Sequence, residues 1–458
     1  MRSSTAARVG AALIALGLVA TGCSSGGTPK AEPSASPAGP TTITIAVYGP
    51  ERVLAAYRAI AADFNDETPD TVVKVQTFTS HTAAVAARQR ALATGAGPDL
   101  FEIDGEDLPG LIDAKAVRRV DDLLIERRVD FGDGYSRTSL EAFSADSALQ
   151  CMPTDYAPLV VYYNTRLIDL SLAAEPDTRP VTQDTGWTLD EFRRVALLAR
   201  KPGVRGLYIA PELRQVAPFI WSGGGDLVDD PDAPTSLALS EDSSATALQD
   251  LLELVRDPAI TFGSTALQRS SAVERFKAGK LGMMLGYRDL TPTLRTQEGL
   301  NFDVMPLPRA GGASTDASVR GICLDADTEH AGAAADFLTF AVSTKSAQML
   351  AETGYAMPTN LDALDSDSFL QRGQRPLHGN VFAREVRHVE EFPRTATWPA
   401  VLAATREPLE RLFYDPDVDP VVLAERLAAL DEVSRPILDP GAAATDGPSA
   451  SSSQSPSE

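Results

Sequence analysis

The sequence predicts an α/β fold divided into two lobes, and three observations support this prediction. Stretches rich in β-branched residues alternate along the chain with stretches whose apolar residues recur at helical spacing. Such alternation favours parallel strands with helices packed on the sheet. The chain has 458 residues, which is more than one hydrophobic core usually supports, so two lobes are expected.

The N-terminal residues predict a secretory signal over 1–22. Two arginines make the start basic, residues 9–20 are apolar, and small residues lead to Cys23. The apolar stretch is shorter than the roughly 18 to 20 residues of a membrane-spanning helix. A cysteine at the cleavage point resembles the lipobox of bacterial lipoproteins, although Ala20 stands where leucine is usual. That resemblance implies lipidation of Cys23, and the alternative is an ordinary signal with an incidental cysteine.

Two segments of low complexity flank the central part of the chain. Residues 23–40 and 441–458 consist mainly of Ser, Gly, Pro and Ala, and they predict a flexible linker and a disordered tail. The formal net charge is -22, which argues against binding to nucleic acid or to anionic lipid. We therefore expect contact with the membrane only through the lipid anchor, on its extracytoplasmic face.

The region after the linker contains five predicted elements. Its first segment is rich in β-branched residues and ends in Gly-Pro, and Val53, Tyr57 and Ile60 then recur at helical spacing. The elements are a strand within 41–50, a helix at 51–67, a strand at 71–79, a helix at 81–97 stopped by glycines, and a strand at 99–105.

Two later segments have clear boundaries. In GWTLDEFRRVALLAR, Thr188 and Glu191 have the spacing of a capping box, and Trp187 and Phe192 have the spacing of a hydrophobic staple. The segment SSAVERFKAGKLGMMLG predicts a helix closed by Gly279 and then a buried strand.

Motifs for metal and cofactor chemistry are absent from the sequence. The four histidines, His81, His330, His378 and His388, lack the close spacing of metal ligands. The chain also lacks a Gly-x-Ser-x-Gly elbow and a complete phosphate-binding loop. We therefore expect no cofactor and no built-in metal.

Cys151 and Cys323 are the cysteines that follow Cys23. Thiols outside the cytosol tend to oxidise, which favours a disulfide. Their sequence separation does not decide whether the Cα atoms come close enough, so two buried, unpaired cysteines remain the alternative.

The segment FEIDGED places four carboxylates at the end of a predicted strand. Glu102, Asp104, Glu106 and Asp107 allow three interpretations. They are structural acids, acceptors for ligand hydroxyls, or the paired carboxylates of a secreted glycosidase.

Several separated motifs occur in order between Thr41 and Leu438. They are ATGAGPDLFEID, MPTDYAPLVVYYNTRLI, GWTLDEF, FIWSGGGDLVDD, AVERFKAGKLGMMLGY, FDVMPLP, VRGICLDADTEHAGAAADFLTF and GYAMPTN. As an ordered set they resemble the extracellular solute-binding proteins of ABC importers, in the carbohydrate-type family. In the third motif, tryptophan and threonine stand in the reverse of the family's order.

The resemblance implies a periplasmic-binding-protein-like fold of type II, with two α/β lobes that close on a ligand. The chain would cross the hinge near 152–153, 320–321 and 356–358. The implied lobes are 41–151 with 322–356, and 152–321 with 357–440. Both Cys151 and Cys323 would then lie beside crossings, which favours their pairing.

The implied function is capture of a mono- or oligosaccharide and its delivery to an ABC permease, by a monomer that is not an enzyme. Ligands in open α/β sheets lie beyond the carboxyl ends of strands, and sugars need aromatic faces and carboxylates. The candidate ligand residues are Tyr48, Glu51, His81, Asp104, Glu106, Tyr156, Trp221, Tyr287, Arg288, Tyr355 and Trp398.

Several of these residues have structural alternatives. Trp221 would pack in a core, His81 would simply begin a helix, and Arg288 would form a surface ion pair. In the cleft, Arg288 would instead suit an anionic ligand such as a glycerophospho-compound. At the level of function, the alternatives are the glycosidase and a sensory protein that signals to a membrane kinase.

Overall fold

A computed structural model describes residues 39–175, 178–415 and 419–441. The predicted signal at 1–22, Cys23, the linker up to residue 38 and the tail beyond Gly441 lie outside these residues. Within the described part, no helix is both long and apolar enough to cross a membrane.

The first five elements have the predicted types and order. They are β1 (Thr41–Tyr48), α1 (Glu51–Glu67), β2 (Thr71–Phe78), α2 (His81–Thr94) and β3 (Leu100–Asp104). β1 pairs in parallel with both β2 and β3, so the predicted parallel arrangement is confirmed. α2 ends where Gly95 adopts a left-handed φ of 64°, a conformation that costs glycine little.

Seven elements follow before the chain leaves the first sheet. They are α3 (Leu108–Asp113), β4 (Val117–Arg118), α4 (Asp121–Glu126), α5 (Arg137–Ala142), β5 (Ser144–Ala145), β6 (Ala148–Leu149) and β7 (Met152–Pro158). The described residues also include short 3-10 helices at Gly105–Asp107, Leu170–Leu172 and Val386–His388.

The second part of the chain begins with β8 and returns to the first sheet through β12. The elements are β8 (Val160–Asn164), α6 (Leu189–Leu198), β9 (Arg205–Tyr208), α7 (Leu213–Ser222), α8 (Asp242–Val255), α9 (Ser264–Arg269), α10 (Ala272–Lys277), β10 (Leu281–Gly286), α11 (Leu290–Arg295), β11 (Phe302–Met305) and β12 (Ala317–Asp325). Helices then dominate: α12 (Ala331–Ala341), α13 (Thr344–Glu352), α14 (Leu361–Leu364), α15 (Asp367–Leu370), α16 (Asn380–Glu385), α17 (Trp398–Tyr414) and α18 (Pro420–Leu438).

The strands form two main sheets flanked by helices. The first has the order β2-β1-β3-β12-β4, with β7 also paired to β12. The second has the order β11-β8-β10-β9, and β5 pairs with β6 in a small hairpin. β12 runs antiparallel to β3, β4 and β7. The fold is therefore the predicted α/β fold with two lobes, and each sheet mixes parallel and antiparallel pairs.

The second sheet is covered on both faces. Along β8, Val161 and Tyr163 pack in one hydrophobic cluster, and Val160 and Tyr162 pack in another. Successive side chains of a strand point to opposite faces, so both faces of β8 are buried. This explains the continuous apolar runs of β8 and β10, and the buried strand predicted after Gly279 is confirmed.

Three segments that the resemblance placed at the hinge lie side by side. β7 pairs with β12, and the register shifts between Arg320 and Gly321. A third segment joins them, because Asp155 forms a bridge with Pro358, and the Met357 amide donates to the Asp155 carboxylate at 2.7 Å. Burial raises the pKa of Asp155 to about 7. The three segments therefore form one connection between the two sheets.

Cys151 and Cys323 form a disulfide at one end of this connection. Their Cα atoms are 4.4 Å apart, and the bond closes a sequence separation of 172 residues. Both cysteines are fully buried beside Met152 and Ile322, in the core of the first sheet. The covalent link therefore joins the start of β7 to β12.

The start of α6 carries the capping box predicted from sequence. The Thr188 hydroxyl accepts from the Glu191 amide at 3.2 Å, and the Glu191 carboxylate accepts from the Thr188 amide at 2.7 Å. Trp187 and Phe192 meet edge-on with ring centroids 5.0 Å apart. Both predictions for this segment are confirmed.

We expect Thr188→Ala to lower the free energy of unfolding by about 1 kcal/mol, because the Glu191 amide loses its acceptor. Urea denaturation of the two proteins measures the difference. Thr188→Ser keeps the acceptor and serves as the control, with no loss of stability expected because serine caps a helix at least as well as threonine. Equal stability of the alanine variant and the wild type would contradict the prediction.

Candidate functional site

A cavity of about 590 Å³ opens between the two sheets. One wall comes from the end of β3 and the residues after it, from 104 to 113, and from residues between 142 and 146. The opposite wall comes from Arg214 on α7 and from 389–398, and residues of β7 and β12 lie between the walls. A ligand in this cavity would therefore touch both lobes, beyond the carboxyl end of a strand.

Asp104 forms the centre of a polar cluster at the end of β3. The Tyr48 hydroxyl donates to its carboxylate at 2.6 Å, and the Arg320 guanidinium lies 3.3 Å away. His81 lies 3.6 Å from the same carboxylate and bonds to Asp107 at 2.8 Å. The hydrogen bond to Asp107 raises the pKa of His81. Asp104 lines the cavity. Tyr48 and His81 contact Asp104.

The other carboxylates of FEIDGED divide between structural and cavity positions. Glu102 is buried within β3, where it accepts from the Tyr57 hydroxyl at 2.8 Å and from the Tyr48 amide at 3.2 Å. Burial raises the pKa of Glu102. Glu106 lines the cavity, and burial also raises its pKa. Glu102 is therefore a structural acid, and Asp104 and Glu106 face the site.

Arg214 connects the two walls of the cavity. Its guanidinium forms an ion pair with Asp316 at 2.9 Å and donates to the Ala317 carbonyl at 2.7 Å. It also lies 3.3 Å from the Glu106 carboxylate on the opposite wall. Burial raises the pKa of Asp316, and the charge of Arg214 opposes that rise. Arg214 therefore pairs with Asp316 and also reaches Glu106 on the opposite wall of the cavity.

Three aromatic side chains form a continuous surface beside Arg214. Phe392 lies between Trp221 and Trp398, with ring centroids 5.2 Å and 5.6 Å apart. Arg214 lies over the Phe392 ring at 5.5 Å. Trp398 lines the cavity, and its indole N–H is buried with no hydrogen-bond partner among the described atoms. Phe392 and Trp398 line the cavity, whereas Trp221 packs against Phe392 and against the hydrophobic core of the second sheet. We call Trp221, Phe392 and Trp398 the aromatic wall.

Two predicted tyrosines lie close to these groups. Tyr156 on β7 lines the cavity and is only 2% exposed. The Tyr287 hydroxyl donates to Asp316, and its ring lies 5.7 Å from the Arg214 guanidinium. Tyr287 thus contacts the cavity through Arg214 and Asp316.

Three predicted residues lie away from the cavity. Glu51 is exposed and pairs with Arg58 at 2.6 Å. Tyr355 is half-buried and packs against the core of the first sheet. Arg288 is 1% exposed, and its guanidinium donates to the Phe369 carbonyl at 3.0 Å. The surface ion pair suggested for Arg288 is therefore wrong, because the side chain is buried and forms no ion pair with the described residues.

The sequence prediction missed several residues of the site. Phe392 and Arg394 lie in EEFPRTATW, directly before Trp398, and the mixture of aromatic and charged residues in this loop was a usable signal. Arg214 offered no such signal, because its partner Asp316 is 102 residues away in sequence. Among the described residues, no group of three His, Cys, Asp or Glu side chains is arranged to hold a metal ion.

Comparison with protein families explains this arrangement. Residues 59–376 match the family described as bacterial extracellular solute-binding protein. The chain belongs to this family. As a solute-binding protein it is not an enzyme, and the glycosidase interpretation of the carboxylates is wrong. The family is extracellular, so the protein acts outside the cytoplasm.

Solved structures of sugar-binding proteins share the fold of this solute-binding protein. The sugar-binding protein MalE from Xanthomonas citri is 16% identical, with a TM-score of 0.74, and the match covers 89% of this chain and 100% of MalE. The substrate-binding protein Lmo0181 from Listeria monocytogenes, solved with cycloalternan, is 18% identical, with a TM-score of 0.72 and coverage of 86% and 98%.

A third structure is the GacH receptor of Streptomyces glaucescens, solved without ligand and with acarbose. It is 20% identical, with a TM-score of 0.71, and the match covers 87% of this chain and 98% of the receptor. The likeness to these proteins establishes the two-lobed fold. A comparison with curated proteins finds no match.

Proposed function

We propose that the protein captures a carbohydrate between its two lobes and delivers it to an ABC permease in the membrane. The observation that carries the proposal is the cavity, whose walls come from both lobes and combine an aromatic wall with carboxylates. Aromatic faces suit the CH surfaces of sugar rings, and carboxylates accept hydrogen bonds from sugar hydroxyls. The structural relatives solved with cycloalternan and with acarbose support this ligand class.

Ligand contact with both walls would favour closure of the lobes. Two-lobed proteins of this kind close by rotation about a hinge, and a ligand that binds the closed state better shifts the equilibrium toward it. The adjacent segments near 152–153, 320–321 and 356–358 would supply this hinge. The proposed lobes are 41–151 with 322–356, and 152–321 with 357–440.

The proposal assigns ligand contact first to residues that line the cavity. These are Asp104, Glu106, Tyr156 and Trp398. Tyr48, His81, Trp221 and Tyr287 would act by positioning them or by extending the same surface. Arg288 has no place in this site, which removes the main support for a glycerophospho-ligand. Glu51 and Tyr355 have no contact with the cavity that would support a role.

The proposal also includes the location of the protein. We propose that the signal at 1–22 is removed and that Cys23 carries the lipid that anchors a monomer to the outer face of the membrane. The linker at 23–40 would then separate the lobes from the membrane surface. Basic and apolar segments before a cysteine support this arrangement.

A thermal-unfolding screen of residues 24–440 against mono- and oligosaccharides tests the function. A sugar at 100 times its dissociation constant should stabilise the folded state by about 2.7 kcal/mol. Recovery of the sugar intact by chromatography would agree with binding without turnover. Failure of every sugar in a broad panel to raise the unfolding temperature would contradict the proposal.

Phe392→Ala should weaken the binding of a sugar identified in this screen by about tenfold to a hundredfold, because the centre of the aromatic wall is lost. Isothermal titration calorimetry measures the change. Phe131→Ala is a matched control, since Phe131 is a partly buried aromatic outside the cavity. Equal affinities of the Phe392 variant and the wild type would show that the aromatic wall does not contact the ligand.

A further inference from the structure

The lining of the cavity is strongly acidic. Its carboxylates are Asp104, Glu106, Asp113, Asp146, Asp316, Glu390 and Glu391, whereas its cationic side chains are Arg214 and Arg394. Such an excess of one charge in a cleft with apolar walls concentrates ligands of the opposite charge.

Neither arginine of the lining is free to bind an anionic ligand. Arg214 is paired with Asp316 at 2.9 Å and lies 3.3 Å from Glu106. Arg394 forms an ion pair with Glu391 and donates to the Glu141 carbonyl at 2.6 Å. The positive charges in the cavity are therefore already balanced by carboxylates of the protein itself.

Three carboxylates of the lining are not paired with a positive charge. Asp113, Asp146 and Glu390 are exposed, and none forms an ion pair with a residue in the described ranges. A ligand that covers these groups would remove water from them, and unpaired carboxylates without water are costly. A neutral sugar would leave this cost in place, and an anionic sugar would increase it.

The aromatic wall offers a second indication about the ligand. Phe392 and Trp398 are among the residues that line the cavity, and aromatic rings suit the CH surfaces of a sugar. Aromatic faces also attract positive charge, and the Phe392 ring already lies 5.5 Å from the Arg214 guanidinium. The site therefore combines aromatic side chains that suit sugar rings with an excess of negative charge.

We propose that the ligand is a carbohydrate that carries at least one protonated amine, an amino sugar or an oligosaccharide that contains one. This inference rests on the proposed function and specifies its substrate class. The amine would lie near Asp113, Asp146 and Glu390, and the sugar rings would contact the aromatic wall.

Calorimetry with matched sugars tests the inference. The probes are oligosaccharides of glucosamine, their N-acetylated counterparts and glucose oligosaccharides of the same lengths. The free amines should bind at least about tenfold more tightly than the neutral counterparts, a difference of about 1.4 kcal/mol. This preference should shrink between about 0.05 M and 0.5 M NaCl, because salt screens partly exposed charges.

Charge variants test whether these three carboxylates cause the preference for the amine. Asp113→Asn, Asp146→Asn and Glu390→Gln together should weaken binding of the amine by about tenfold or more and abolish its preference over the neutral sugars. Asp66→Asn, Asp133→Asn and Glu298→Gln together are the matched control, since these exposed acids lie outside the cavity and the change in net charge is equal. This control should retain the preference for the amine.

The outcomes separate the two proposals. Equal or tighter binding of neutral sugars would overturn the inference and leave sugar capture intact. Unchanged binding of the amine in the cavity triple variant would also overturn it, since the preference would then have another source. Failure of all three classes of sugar, together with the broader panel, would overturn sugar capture and the inference with it.

Discussion

Replacing Arg214 with methionine is expected to lower the free energy of unfolding by about 3 kcal/mol. Asp316 is only 3% exposed, and Arg214 supplies its ion pair at 2.9 Å. Loss of one partner of a buried pair leaves an uncompensated charge, which costs about 3–5 kcal/mol. We expect the lower end of that range because the Arg214 side chain is 28% exposed. Chemical denaturation at neutral pH measures the loss.

The loss should depend on pH in a defined direction. Burial raises the pKa of Asp316 above its usual value, and Arg214 limits that rise. Without the guanidinium, the folded-state pKa rises further, so the folded variant binds a proton more readily than the unfolded chain. Its stability therefore increases as the pH falls toward the unfolded value of about 3.9. The difference from the wild type should be smaller at about pH 5 than at about pH 8.

A double-mutant cycle separates the ion pair from other effects of the substitution. Adding Asp316→Asn to the Arg214→Met variant removes the stranded carboxylate and should recover part of the lost stability. The pH dependence due to Asp316 should disappear in the double variant. An Arg214→Met protein as stable as the wild type at neutral pH would show that water or Tyr287 compensates Asp316 instead.

The cavity itself should also change in this variant. Arg214 lies over the Phe392 ring at 5.5 Å and reaches Glu106 on the other wall at 3.3 Å. Methionine keeps apolar contact with the ring but cannot bind the carboxylate. Ligand affinity should therefore fall because the two walls lose the contact between Arg214 and Glu106, and calorimetry with the sugar from the screen measures the change.

Local sequence patterns predicted most of the first lobe because its strands and helices alternate over short distances. β1, β2 and β3 follow one another within 41–104, and the single helix between successive strands favours parallel pairing. The antiparallel course of β12 was not predictable in this way, since its partners lie about two hundred residues away. Only tertiary packing brings that strand back between β3 and β4.

The candidate site was predictable where it follows a strand end. Asp104 is the last residue of β3 and Glu106 follows the strand, and general rules about open sheets place them at the cavity. Arg288 follows the end of β10 by the same logic, yet its side chain packs over the Phe369 ring at 5.0 Å. Strand-end position fixes the backbone, whereas the direction of a long side chain depends on neighbours that local sequence does not show.

Replacing both Cys151 and Cys323 with serine should lower the free energy of unfolding by about 2–5 kcal/mol. The disulfide closes a loop with a sequence separation of 172 residues, and a crosslink of a long loop removes much conformational entropy from the unfolded chain. The serine hydroxyls would also be buried in the apolar core of the first sheet. Thermal and chemical denaturation of residues 24–440 measure the effect.

The wild type treated with a thiol reductant provides the matched control, because it loses the crosslink without gaining a hydroxyl. Both sulfur-bearing side chains are fully buried, so native protein should resist reduction until denaturant or heat opens the core. Once reduced, it should unfold at lower denaturant than the oxidised form. A serine variant that is less stable than the reduced wild type would measure the cost of the buried hydroxyls. Equal stability of oxidised and reduced protein would mean that packing of β7 against β12 alone fixes the two strands.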